Sequence, residues 1–201
     1  MPGRYIAFEG VEGCGKSTHA QRLATHLGAV ITREPGGTPI GATLREIMAN
    51  TANTHLSART EALLMAADRA QHLHELVVPA LNEGRHVVSD RSAYSSLAYQ
   101  GYGRQLDLDE LRRFNSFAIN GCWPDLVVYI RVGLPAVRKR LAKRDTDRFE
   151  REDDEFFARV IDGFEALAAA EPSRWLVIDG APPKDELEVI IRTAVMERLG
   201  L

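Results

Sequence analysis

The stretch Gly10-Val11-Glu12-Gly13-Cys14-Gly15-Lys16-Ser17-Thr18 fits the pattern G-x-x-x-x-G-K-[ST], whose chemistry is the cradling of phosphates. Glycines let the backbone turn sharply and aim successive N–H groups inward. Lys16 offers a full positive charge to the β- and γ-phosphates, and the Ser17 hydroxyl is placed for Mg²⁺. Asp90 follows the apolar run His86-Val87-Val88-Ser89 and precedes Arg91. A carboxylate there either holds Mg²⁺ near the phosphates or caps the next helix. Arg33 sits in the Pro/Gly-rich stretch Arg33 to Pro39. Its guanidinium either matches a phosphate or is a surface charge. Asp179, also after an apolar run, reads as a turn residue.

Phosphoryl transfer needs a cation on the transferring group, worth about 10³–10⁵ in rate. The glycine-rich stretch has Gly13 and Cys14 but no arginine. A charged segment from Lys143 to Glu155, with Arg144, Arg148 and Arg151 among interleaved acids, is the best source. It reads as a lid (about 143–155) carrying one or two arginines onto the phosphoryl group, while most of its charges form a solvated face with i,i+4 pairs. The six histidines show no ligand spacing. No Ser/His/Asp or Cys/His arrangement stands out.

Certain elements must hold these groups in place. Tyr5-Ile6-Ala7-Phe8 is a short β-prone run, and Thr18 to Leu27 has Ala20, Leu23, Ala24 and Leu27 at helical spacing. The phosphate motif therefore lies between a strand and a helix whose N-terminus adds partial positive charge. Further strands are expected at Ala29–Thr32, His86–Ser89, Leu126–Ile130 and Trp175–Ile178. A long helix capped by Ser57 should run to about Glu83, with Leu63, Leu64, Ala67, Ala70, His74, Val77 and Leu81 as its buried stripe. A helix from about Ala93 to Tyr99 should break at Gly101-Tyr102-Gly103. Strands alternating with helices imply right-handed crossovers, a parallel sheet covered on both faces, and a ligand at the carboxyl ends of the strands.

The chain has 201 residues, 45% hydrophobic and 26% charged, with net charge −3. That suits one domain over residues 1–201 and argues against a nucleic-acid or anionic-membrane surface. Cys14 and Cys122 form neither a metal-ligand spacing nor a disulfide framework, which favours a reducing cytosol. No apolar run is long enough to cross a bilayer, and the N-terminal residues lead straight into a strand with no signal-peptide pattern.

Taken together, the motifs resemble one family closely. Phe8 to Thr18 is similar to the P-loop of bacterial thymidylate kinases, and Thr32-Arg33-Glu34-Pro35-Gly36-Gly37-Thr38 to their second signature. Asp90-Arg91 followed by Tyr99-Gln100-Gly101 resembles the third; Pro124-Asp125-Leu126 and Asp147-Arg148-Phe149-Glu150 also fit. The resemblance spans nearly the whole chain. It implies a P-loop NTPase three-layer α/β/α fold with a five-stranded parallel sheet and a lid, transfer of the γ-phosphoryl of ATP to dTMP with Mg²⁺, and a homodimer.

Residue by residue, the resemblance implies that Gly10 to Thr18 bind ATP and that Glu12 meets the acceptor's 3′-hydroxyl and Arg91. Arg91 and Arg33 lie near the acceptor phosphate. Arg69 reads thymine, Ser96 and Gln100 help hold the base, and Tyr99 crowds the sugar 2′ position. Lid-borne Arg144 or Arg148 supplies the catalytic cation. A guanidinium has only donors, so at Arg69 it suits a 4-carbonyl and not a cytosine amine. Two positions depart from the pattern: Met65 stands where many members stack an aromatic residue, and Ser92 where many have an aromatic or His. Asp90-Arg91-Ser92 is reminiscent of deoxynucleoside kinases, the alternative reading. Such an enzyme would benefit from a carboxylate base near a 5′-hydroxyl, and Glu9 is the obvious candidate. A P-loop switch acting on a protein partner is a third class; the chain lacks the Asn-Lys-x-Asp stretch of a GTPase.

Overall fold

The computed structural model describes residues 3–142 and 147–201. Arg144 and the rest of 143–146 lie outside the described residues. The strands are β1 (Tyr5–Glu9), β2 (Val30–Arg33), β3 (Val87–Asp90), β4 (Leu126–Arg131) and β5 (Trp175–Asp179). They form one sheet in the order β2-β3-β1-β4-β5, every neighbouring pair parallel. β1 and β4 are near-continuous apolar runs because both faces are covered. The α-helices are α1 (Lys16–Leu27), α2 (Pro39–Ala49), α3 (Ala58–His72), α4 (Val78–Asn82), α5 (Ala93–Ser96), α6 (Leu108–Ala118), α7 (Leu134–Leu141), α8 (Asp154–Ala170) and α9 (Lys184–Leu199).

Register decides what the sheet presents. Phe8 pairs with Asp90, and Arg33 pairs with Asp90 from the other side. Neighbouring strands lie about 4.8 Å apart, so the start of the glycine loop, Asp90 and Arg33 share one edge. The chain leaves β1 toward β2 on one side and crosses from β3 to β4 on the other. The crevice therefore opens at the carboxyl end of β1.

Two expectations are corrected. Over α3 the apolar stripe does not face the core: the buried residues are Glu61, Ala62, Ala66, Asp68, Arg69 and His72, whereas Leu63 and Ala67 are exposed; beyond α3, His74 is exposed but Val77 of the same stripe is buried as expected. The period was right but the inward face is polar, because it lines a cleft and braces a loop. α3 also passes through a wider, π-helical turn at Leu73–Val77 before α4. Similarly, α5 does not break at Gly101. It runs on as a π-helical segment through Leu97–Gly103. The glycines there serve close packing: a Cβ on Gly101 would sit 2.4 Å from Leu108, and one on Gly103 would sit 2.6 Å from Phe156.

Caps account for several boundaries. Thr38 Oγ1 accepts from Gly41 N at 3.0 Å with Pro39 at the first turn of α2. Ser57 caps α3 as its sequence suggested, and Asp153 caps α8. Asp125 Oδ2 accepts from Tyr5 N at 2.7 Å, tying the entry of β4 to the first strand.

Candidate active site

A single cleft runs from the glycine loop to the α2–α3 wall. Gly13, Gly15, Lys16, Ser17 and Thr18 line it from the glycine loop, Met48, Ala49 and Met65 from α2 and α3, and Glu12, Arg33, Arg45, Asp90 and Arg91 share the lining. Arg69, Ser96, Tyr99 and Gln100 complete the far wall. Val11 and Cys14 are buried beneath the loop. They shape it from below. Gly10, Gly13 and Gly15 have φ of 141°, 72° and 101°, a region that suits glycine. Lys16 is buried, and its ammonium donates to the Val11 carbonyl at 3.3 Å.

Arg91 is the centre of the crevice. Its φ of 76° is unusual for a side-chain-bearing residue, and the surroundings hold it there. Its N–H donates to Phe8 O at 2.9 Å. Its guanidinium donates to Glu12 Oε1 at 2.6 Å and to Ser95 Oγ at 3.0 Å, and lies 4.8 Å from the Tyr99 ring centroid. The Tyr99 hydroxyl donates to Glu12 Oε2 at 2.6 Å. Burial alone would raise the Glu12 pKa, but the Arg91 and Lys16 charges outweigh it and hold the carboxyl below its usual range. Glu12 is thus an anion fixed between two cations.

Glu9 is buried and accepts from Ser92 N, Ser92 Oγ and Ser95 Oγ at 2.8, 2.7 and 2.6 Å. Burial raises its pKa despite Arg91 and these bonds. It braces the turn after β3 and is not among the cleft-lining residues. Ser92, a departure from the family pattern, holds Glu9 and caps α5 rather than facing a ligand. The base that a nucleoside kinase would require is therefore not where the sequence suggested.

Sequence reasoning missed the carboxylates that position the arginines. Glu34, inside the loop after β2, is buried and accepts from Arg69 Nε at 2.6 Å and pairs with His72 Nδ1 at 2.9 Å. Burial would raise its pKa, yet Arg69 and His72 bring it below its ordinary value. His72 Nε2 continues to Thr32 Oγ1 at 2.7 Å, and Asp68 Oδ1 accepts from Gly36 N at 2.8 Å. Gly37 packs so tightly that a Cβ would lie 2.6 Å from Arg33 O. Arg69 also donates to Ser96 Oγ, Asn115 Oδ1 and Ser92 O. The only sequence signal was the helical spacing of polar residues 61, 68, 69 and 72 on α3.

Arg148, expected over the phosphates, here donates to Met48 O at 2.8 Å and to Glu61 Oε2 at 2.5 Å. Arg140, at the end of α7, donates to Gly13 O at 2.6 Å, beside the arginine-free loop. Arg45 lines the cleft and donates to Pro35 O at 3.3 Å; sequence alone did not single it out. Asp179 accepts from Ala181 N at 3.0 Å, a turn role as expected. Asp90 Oδ1 is buried with no partner among the described residues, and Ser17 lines the same cleft. One carboxylate and one hydroxyl suit Mg²⁺, which keeps most of its sites for phosphate and water.

A phosphate loop ending the central strand of a five-stranded parallel sheet, with arginines along the crevice, defines a P-loop nucleotide kinase. The family model for thymidylate kinase matches residues 8–191. The chain is 43% identical over 206 residues to the thymidylate kinase of Pelotomaculum thermopropionicum, covering 99% of this chain and 95% of that one. It is 44% identical over 200 residues to that of Clavibacter michiganensis subsp. michiganensis, covering 96% and 94%. With that of Geobacter sulfurreducens it is 42% identical, covering 98% of each. The chain belongs to the thymidylate kinase family.

Proposed function

We propose the following division of labour for the ATP-dependent phosphorylation of dTMP to dTDP. The glycine loop and Lys16 hold the β- and γ-phosphates of ATP. Ser17 and Asp90 would hold Mg²⁺, which would offset the charge of those phosphates. Arg33, Arg45 and Arg91 receive the acceptor phosphate. That phosphate is largely dianionic at neutral pH, so it needs cations to bring it against ATP and no strong base. Glu12 orients Arg91 and meets the sugar 3′-hydroxyl. Among the described residues, four of the five Arg69 N–H donors have partners; the fifth serves the 4-carbonyl of thymine, with Ser96, Gln100 and Met65 around the ring. Arg144 and Arg148 are the lid cations, Arg148 reaching the phosphates only on leaving Met48 O and Glu61, and the chain works as one catalytic domain with 143–155 as its lid.

One observation carries this reading: donor-type and acceptor-type groups line one continuous cleft, with Arg91 between them. Tyr99 tests the acceptor half. Its hydroxyl is tied to Glu12 and its ring lies against Arg91, so it cannot swing away from a 2′-hydroxyl. The ratio of kcat/KM for dTMP over the ribonucleotide should fall about tenfold or more in Tyr99→Ala. An unchanged ratio would remove Tyr99 from the sugar pocket.

The enzyme acts as a homodimer in the cytoplasm. Supporting the dimer, Leu63 on α3 is 60% exposed, Ile40 and Ile47 on α2 are 55% and 41% exposed, and Phe117 on α6 is 88% exposed. α3 packs against both α2 and α6, so these side chains belong to adjoining helices. An apolar surface of this kind is suited to a second copy of the chain. Supporting the compartment, Cys14 and Cys122 are both free. No helix among the described residues is long and apolar enough to cross a membrane. Sedimentation of the double variant Leu63→Glu, Phe117→Glu should give a folded monomer where the wild type gives a dimer; a variant that stays dimeric would move the interface elsewhere.

A further inference from the structure

Asp147-Arg148-Phe149-Glu150 forms a turn closed on itself. Asp147 Oδ1 accepts from Phe149 N and Glu150 N, each at 3.0 Å, and Glu150 Oε2 accepts from Asp147 N at 3.2 Å. This is the reciprocal arrangement of a capping box. The turn is fastened to the α2–α3 wall. Arg148 N donates to Ala49 O at 3.2 Å, its Nε to Met48 O, and its terminal nitrogen to Glu61. Glu61 is fully buried and also accepts from Gln100 Nε2 at 2.8 Å and from Arg104. Arg104 reaches on to Glu152 Oε1 at 2.5 Å. One buried carboxylate thus ties the turn, through Gln100, to the side chains proposed to hold the base.

These anchors fix where Phe149 goes. It lines the same cleft as Met48, Ala49, Met65 and Gln100. The Arg148 guanidinium sits 4.6 Å from its ring centroid, a cation–aromatic contact that restrains the ring. Met65 contributes an adaptable thioether, and no flat ring, to the same lining. We infer that Phe149 is an acceptor-binding residue, supplying from the lid turn the aromatic wall for the pyrimidine that α3 lacks. Lid and acceptor are then coupled: the base packs against the segment that carries Arg148, and Glu61 sets the position of both. The inference rests on the dTMP reading above.

Calorimetric titration of the intact protein with dTMP, without ATP, tests it. Loss of one base–aromatic contact should weaken dTMP binding about tenfold in Phe149→Ala, with KM for ATP changed less than about twofold. Adding Met65→Phe to that variant should recover most of the loss, which a merely structural Phe149 would not allow. An unchanged dTMP affinity in folded Phe149→Ala, or a rise confined to KM for ATP, would overturn the inference while leaving the kinase reading intact. Wild type that binds no dTMP would remove the reading itself, and the inference with it. Should Phe149→Ala fail to fold, Phe149→Trp replaces it: dTMP alone should shift its emission relative to wild type, and an unresponsive tryptophan would overturn the inference.

Discussion

Lys16→Ala is expected to lower kcat by about 10²–10³-fold or more while the protein stays folded. The reasoning is local. The Lys16 stem is buried, but its ammonium bonds to Val11 O within its own loop, so it ties no distant element together. Its charge is available for the β- and γ-phosphates, where negative charge must be borne through the transition state. Removing one preorganised donor from such a site costs this much in rate. Because the contact strengthens along the reaction, kcat should fall more than KM for ATP rises. Steady-state kinetics with a melting curve decides the matter. A folded variant retaining more than about a tenth of the wild-type kcat would contradict the assigned role.

The second large effect is on stability. Glu34→Ala leaves the buried Arg69 guanidinium without its carboxylate and removes the acceptor from His72. Breaking a buried pair from one side costs about 3–5 kcal/mol, because the remaining charge stays buried. For a chain of this size that lowers Tm by roughly 6–20 °C. KM for dTMP should rise as well, since the loop that follows Arg33 and the orientation of Arg69 depend on the same carboxylate. The pH dependence follows from the sign of the shift. The folded pKa of Glu34 is depressed below its ordinary value of 4.5. Its contribution is therefore full above that value and is lost as pH falls through the depressed folded value. Glu34→Gln should flatten that acid limb. A Glu34→Ala protein melting within about 2 °C of wild type would mean that the pair is not a stabilising contact.

This coupling also changes how Arg69 is to be tested. Arg69→Ala would strip the partner from Glu34 as well as the donor proposed for the base, so base selectivity and folding are expected to fall together. The dTMP/dCMP ratio in a folded Arg69→Lys protein isolates the reading role. Lysine keeps the charge but loses the planar fork.

The parts of the fold legible in the sequence were those with a period or a motif. Apolar runs gave all five strands to within a residue or so, and the glycine motif was read correctly as the link from β1 to α1, with Lys16 and Ser17 opening the helix. Asp90 and Arg33 were legible as strand ends, which register then brought side by side. What was not legible depends on contacts distant in sequence. Glu34 and Arg69 are 35 residues apart, and Arg148 and Glu61 are 87 apart. No local pattern records such pairings. The α3 stripe shows the opposite failure: periodicity identified a true apolar face but could not say that a polar cleft occupied the inner side. Gly101 and Gly103 read as a break because glycine lowers helix propensity; packing against Leu108 and Phe156 outweighed that tendency.

Following ADP release and dTDP formation together, with ATP and Mg²⁺ present and dTMP, thymidine or no acceptor added, tests the central claim most directly. ADP should appear only with dTMP and match dTDP one for one, since Arg33, Arg45 and Arg91, proposed to receive the acceptor phosphate, line the cleft and Glu9 does not. Equal ADP release without acceptor, or efficient turnover of thymidine, would contradict it.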